Sequence, residues 1–118
     1  MDFLTKLFTG VQVSDVSATE AQKKLAQKPK PFLLDVRQPE EFRSGHIPGA
    51  KLIPLGDLRS RMNELPKNQE ILVVCRSGNR SQAGRDILKQ AGYDQVTSMS
   101  GGVNAWRAAG YPVEGNNP

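Results

Sequence analysis

Two uninterrupted apolar runs, Phe32-Leu33-Leu34 and Ile71-Leu72-Val73-Val74, organise the reading of this chain. Each is too short for a helix and has no polar position to turn toward water. Such runs are typical of strands buried on both faces, the central strands of a parallel sheet. Three weaker strand patterns accompany them: the alternation Val11-Gln12-Val13, the brief Lys51-Leu52-Ile53, and residues 96–99.

Helical spacing fills the intervals. Ser17-Ala18-Thr19-Glu20 is a capping box that opens a helix running to about Gln27, where Lys28-Pro29-Lys30-Pro31 breaks it. Pro39-Glu40-Glu41-Phe42-Arg43 predicts a short helix, with proline in its first turn and acids at its positive end, closed by Ser44-Gly45. Leu55, Leu58, Met62 and Leu65 mark one or two helical segments that Pro66 stops. Ala83, Ile87 and Leu88 predict a helix over residues 81–91, with Ser81 as its N-cap and Gly92 ending it. Ser100-Gly101-Gly102 reads as a flexible turn before a last helix carrying Val103, Ala105, Trp106 and Ala109. At the start, Phe3, Leu4, Leu7 and Phe8 share one face of a short helix ended by Gly10 and docked on its own domain. The expected organisation is an N-terminal segment over 1–10, one domain over 11–113 and a polar tail over 114–118.

Strands alternating with helices call for an α/β fold, a mostly parallel sheet covered on both faces. Ligands of such sheets bind beyond the carboxyl ends of the strands, and both Asp35 and Cys75 fall there.

Composition narrows the chemistry. A length of 118 residues suits one domain. The net charge of +4 comes from basic residues dispersed among 12 acids, which argues against nucleic-acid binding. No apolar stretch approaches the roughly 20 residues of a membrane span, and residues 1–10 lack the pattern of a secretory signal, so a cytoplasmic protein is expected. Cys75 is the single cysteine and His46 the single histidine, which excludes an internal disulfide and leaves few ligands for a metal; neither metal nor cofactor is expected.

Cys75 stands where the second apolar run meets Arg76-Ser77-Gly78-Asn79-Arg80, with helix-forming sequence from Ser81 onward. A buried strand delivers the sulfur to the sheet edge, the loop turns its N–H groups toward it, and the helix start adds a partial positive charge. Gly78 permits backbone angles that a side chain forbids. With Arg76 and Arg80 alongside, Cys75 is expected to ionise more readily than a free thiol and to act as a nucleophile, rather than as a small buried hydrophobe.

Four segments then resemble the rhodanese family: Asp35-Val36-Arg37-Gln38-Pro39-Glu40-Glu41-Phe42, Gly45-His46-Ile47-Pro48-Gly49-Ala50, Cys75-Arg76-Ser77-Gly78-Asn79-Arg80-Ser81 and Gly101-Gly102-Val103-Asn104-Ala105-Trp106. They occur in the family's order and span nearly the whole chain. The resemblance implies a three-layer sandwich built on a five-stranded, mostly parallel sheet with helices on both faces. It also implies a sulfurtransferase whose Cys75 carries a sulfane sulfur as a persulfide, with Arg76, Ser77, Gly78, Asn79, Arg80 and Ser81 forming the loop that binds substrate. Its partners would be a small anionic donor such as thiosulfate and a thiophilic acceptor: cyanide, a small thiol or the cysteine of an acceptor protein.

Individual roles follow. Arg76 is placed to draw in the anionic donor. Arg80 either contacts substrate or pairs with Asp35 or Glu41 to brace the loop. His46 is read as a structural hydrogen bonder, Asp35 as an orienting carboxylate, and Trp106 as core or pocket wall. Two rival readings are a cysteine phosphatase or arsenate reductase, and a non-catalytic interaction module. Phosphatase loops of this kind hold five residues between cysteine and arginine, whereas here four separate Cys75 from Arg80, a ring crowded for a phosphoryl group. Interaction modules of the family typically lack the cysteine that this chain retains.

Overall fold

A computed structural model describes residues 15–115 of the chain. The expected N-terminal helix and the strand at 11–13 lie outside the described residues. The elements run β1 (Asp15–Val16), α1 (Ala18–Leu25), β2 (Phe32–Asp35), α2 (Pro39–Arg43), β3 (Lys51–Leu52), α3 (Leu58–Arg61), β4 (Ile71–Val74), α4 (Asn79–Gln90), β5 (Val96–Met99) and α5 (Gly102–Ala108). Single 3-10 turns, Leu55–Asp57 and Met62–Glu64, flank α3.

Local chemistry accounts for the first elements. At α1 the predicted capping box is in place: the Glu20 N–H donates to Ser17 Oγ at 3.0 Å and the Ser17 N–H to Glu20 Oε1 at 2.8 Å. Pro39 occupies the first turn of α2, where its missing N–H costs nothing.

Five parallel strands form one sheet in the order β1-β5-β4-β2-β3. From β2 the chain moves outward to β3, returns to β4, and then proceeds to β5 toward the opposite edge. The carboxyl ends of β2 and β4 therefore flank the point where the winding reverses, the crevice in which open α/β sheets place their sites.

Period-two alternation divides the two apolar runs between two cores. Leu34, Ile71, Val73 and Cys75 face one side and pack with Leu58 of α3 and with Leu88 of α4. Leu33, Leu72 and Val74 face the other, against Ala18 and Ala21 of α1 and Val103 and Trp106 of α5. Burying each large aliphatic side chain contributes about 1.5–3 kcal/mol, so β2 and β4 are held from both faces. Trp106 belongs to this core, and its indole N–H donates to the Pro112 carbonyl at 2.7 Å.

Three details depart from the sequence reading. The helix after the cysteine loop begins at Asn79 with Gly78 at the N-cap, so Ser81 lies inside its first turn. Ser100 and Gly101 form a turn as expected, but Gly102 already opens α5, with Gly101 as its N-cap and both glycines in left-handed backbone conformations. Glu114, assigned to the polar tail, exchanges two backbone hydrogen bonds with His46, at 2.7 and 2.8 Å. Among the described residues, no helix is long and apolar enough to cross a membrane.

Candidate active site

Cys75 continues the alternation of β4 and points to the α4 side of the sheet, 1% exposed. Its surroundings are set by the loop that follows. The Gly78 N–H donates to Sγ at 3.1 Å and the Ser81 N–H at 3.3 Å, while the Ser81 hydroxyl oxygen stands 3.5 Å away. The Ser77 N–H faces the sulfur as well. Burial pushes the Cys75 thiol up, but the Ser81 hydroxyl and the Ser81, Gly78 and Ser77 N–H groups together outweigh it, and the thiol ends below its ordinary range.

The loop owes this inward orientation to α5. The Val103 N–H donates to the Cys75 carbonyl at 2.8 Å and the Asn104 N–H to the Arg76 carbonyl at 3.0 Å. With the Arg76 carbonyl tied to one side, the Ser77 N–H on the same peptide turns toward the sulfur. The approach is close enough that a Cβ on Gly102 would collide with the Cys75 and Arg76 carbonyls. At the other end, Gly78 makes the sharp entry into α4 with φ of 109°. A left-handed N-cap favours glycine, which is why the helix starts two residues before Ser81.

Ser81 is nevertheless central. Fully buried, its hydroxyl lies 3.1 Å from the Gly78 carbonyl and 2.7 Å from Ser98 Oγ on β5. Ser98 is a site neighbour that sequence inspection passed over. Only the sheet register, which sets Ser98 beside Val73, reveals it.

The arginines divide. Arg80 turns away from the sulfur and clamps Glu41 of α2 in a two-pronged pair, at 2.7 and 2.8 Å. Of the two bracing partners expected, Glu41 is the one it takes. The guanidinium holds the Glu41 carboxyl down to about 2, and the carboxylate raises the pKa of Arg80 in turn. Arg76 is exposed and forms no ion pair among the described residues. It borders a cleft of about 230 Å³ together with Arg37, Glu41, Val103, Asn104 and Arg107. Ser77 and Asn79 sit on the exposed rim of the loop.

Asp35 and His46 take supporting places. Asp35, fully buried, receives the Arg37 side chain on both oxygens, at 2.8 to 3.1 Å, and the Arg37 N–H at 3.0 Å. Arg37 in turn donates to the Gly45 carbonyl at 2.8 Å, fixing the turn before His46. The His46 ring stacks on Phe42 with centroids 3.7 Å apart, and its Nδ1 lies 2.8 Å from the Phe42 carbonyl. Among the described residues, the ring's partners are Phe42 and Glu114, both scaffold groups.

This arrangement gathers neutral donors around one sulfur and leaves a cationic cleft beside it. Comparison with known proteins agrees with the geometry. The profile of the rhodanese-like domain matches residues 17–109. A sulfurtransferase of Allochromatium vinosum is 35% identical over 101 residues, covering 86% of this chain and 94% of that protein. The thiosulfate sulfurtransferase GlpE of Pseudoalteromonas translucida is also 35% identical, over 72% of this chain and 81% of its own. The crystal structure of a rhodanese-related protein from Thermoplasma volcanium superposes with a TM-score of 0.78 at 31% identity, covering 85% of this chain and 96% of that one. With its five-stranded parallel sheet, its cysteine loop and these relatives, the chain belongs to the rhodanese-like sulfurtransferase family.

Proposed function

We propose that the protein moves a sulfane sulfur from an anionic donor such as thiosulfate to a thiophilic acceptor through a persulfide on Cys75. The observation that carries this reading is the convergence of the Gly78 and Ser81 N–H groups on Cys75 Sγ, beside a Ser81 hydroxyl 3.5 Å from the sulfur that can donate once the thiol is ionised. Donors so placed stabilise a negative charge on sulfur without consuming it in an ion pair.

In the first step the Cys75 thiolate attacks the outer sulfur of thiosulfate. The new S–S bond forms as the bond to the sulfonate sulfur breaks, and sulfite departs with the bonding pair. One negative charge remains on the terminal sulfur of the persulfide, inside the ring formed by Arg76, Ser77, Gly78, Asn79, Arg80 and Ser81. In the second step a nucleophile takes that terminal sulfur, and the S–S electrons return to Cys75 as thiolate. Cyanide would leave as thiocyanate, and a thiolate would leave as a persulfide. No cofactor or metal enters either step.

Arg76 draws the donor into the cleft, and Arg80 braces the ring through Glu41. The unit responsible spans residues 11–113. An acceptor protein presenting a cysteine is the alternative to a small acceptor, and the cytoplasm, where thiols stay reduced, is the setting that suits a free reactive cysteine.

Intact mass spectrometry tests the reading. After incubation with thiosulfate the wild type is expected to gain one sulfur atom, to lose it on adding cyanide with release of thiocyanate, and Cys75→Ala is expected to gain none. A wild type that takes up no sulfur overturns the proposal.

A further inference from the structure

A buried hydroxyl outside the loop completes the sulfur's surroundings. Ser98, on β5, is 1% exposed, and its hydroxyl meets a single hydrogen-bonding atom among the described residues, Ser81 Oγ at 2.7 Å. Either oxygen has the geometry to donate, but the hydrogen inventory decides. A buried hydroxyl hydrogen without an acceptor is costly, and Ser81 Oγ is the acceptor within reach of Ser98. Ser81 has alternatives, since the Gly78 carbonyl lies 3.1 Å and Cys75 Sγ 3.5 Å from its oxygen. Ser98 therefore donates and Ser81 accepts.

That assignment restricts where the single Ser81 hydroxyl hydrogen can point. With Cys75 as a thiol, the S–H donates to Ser81 Oγ and the Ser81 hydrogen goes to the Gly78 carbonyl. When the thiol proton is lost to solvent, the sulfur becomes an acceptor and the Ser81 hydrogen turns to it. In both states the direction of Ser98 stays closed to that hydrogen. A hydroxyl that accepts a hydrogen bond also donates more strongly.

We propose that Ser98 is a positioning residue for Cys75: its hydroxyl donates to Ser81 Oγ and so aims the Ser81 hydroxyl hydrogen at the sulfur when it carries negative charge. The inference rests on the reading of Cys75 as a nucleophilic thiolate, and it places Ser98 one hydrogen bond behind that thiolate.

The test is the pH dependence of Cys75 alkylation by iodoacetamide in the full chain. The charged groups around the loop, Arg76, Arg80, Glu41 and the Asp35–Arg37 pair, remain the same in every variant. Ser98→Ala is expected to raise the alkylation midpoint by roughly half a pH unit, the scale of one modest hydrogen bond, and to slow sulfur uptake from thiosulfate at neutral pH about threefold. Ser98→Thr keeps the hydroxyl and is expected to retain the wild-type midpoint, while Ser98→Val, of the same shape, shifts as alanine does. In a Ser81→Ala background, Ser98→Ala is expected to add nothing, because its route to the sulfur is gone.

Equal midpoints for the threonine and valine variants overturn the proposal, as does a Ser98→Ala shift that persists in the Ser81→Ala background. Thermal unfolding identifies any variant that fails to fold; if the β-branched pair does, the comparison of alanine variants decides alone. Alkylation needs no sulfur donor, so failure of the wild type to take up sulfur would count against the proposed reaction and leave this test standing.

Discussion

The ends of β2 and β4 lie side by side in register, Asp35 opposite Val74, and each delivers an acidic side chain to the same edge of the sheet. They treat negative charge in opposite ways. Asp35 is closed: a buried guanidinium covers both its oxygens, and the Arg37 N–H adds a further bond. Cys75 is open: its partners are the neutral Gly78 and Ser81 N–H groups and the Ser81 hydroxyl, and the arginine that ends its loop is engaged elsewhere, by Glu41. A formal countercharge locks an anion into the scaffold. Oriented dipoles lower the cost of the charge and leave its electron pair available to a substrate.

Breaking the closed end should cost stability most. Asp35→Ala strands the Arg37 guanidinium, whose side chain is 5% exposed, and should destabilise the fold by about 3–5 kcal/mol in urea titration. The Cys75 alkylation midpoint should move little. Replacing both partners with Leu and Met should recover much of the loss, since it is the unpaired charge that is costly. If Asp35→Ala instead left stability intact, the distinction drawn between the two strand ends would collapse.

Disturbing the open end should show the reverse emphasis. Gly78→Ala puts a side chain at φ of 109°, with its Cβ 3.1 Å from the Gly101 nitrogen. A backbone penalty of about 1–3 kcal/mol is expected, together with a thiol that titrates higher because its donors are displaced. Ser81→Ala, a smaller change, removes one donor while leaving the backbone in place. It should raise the alkylation midpoint by about one unit, with thermal stability lowered far less than by Asp35→Ala.

The smallest effect concerns the brace between the two ends. The Glu41 carboxyl is depressed from 4.5 to about 2 by its Arg80 partner, so its pairing stabilises the fold fully above pH 4.5 and fades as pH falls from 4.5 toward 2. Glu41→Gln should therefore match the wild type more nearly at pH 2 than at pH 7 in denaturant titrations. A difference that grew on acidification would exclude the pairing as its source.

Much of this contrast was legible in the sequence. The runs ending at Asp35 and Cys75 are apolar, short and uninterrupted, and burial on both faces is the physical reason that such runs become adjacent central strands. The glycine in the loop after Cys75 and the helix-forming sequence beyond it pointed to N–H groups turned toward the sulfur, as the Gly78 and Ser81 N–H groups are. What could not be read depended on contacts between distant segments. Ser81 resembled an N-cap because serine favours that position, but Gly78 can adopt a left-handed conformation, and the helix began there instead. Gly101-Gly102 looked flexible because glycine is permissive, whereas close approach to the loop carbonyls is what requires Gly102. Ser98 carried no local signal, since its place beside Ser81 follows from how β5 aligns with β4.

The bonds from Val103 and Asn104 to the carbonyls of Cys75 and Arg76 make the shape of the cysteine loop depend on a helix far along the chain. A short peptide copied from the loop alone lacks those anchors, and its cysteine should titrate as an ordinary free thiol. The lowered thiol is in that sense a property of the assembled domain, not of the six residues that follow the cysteine.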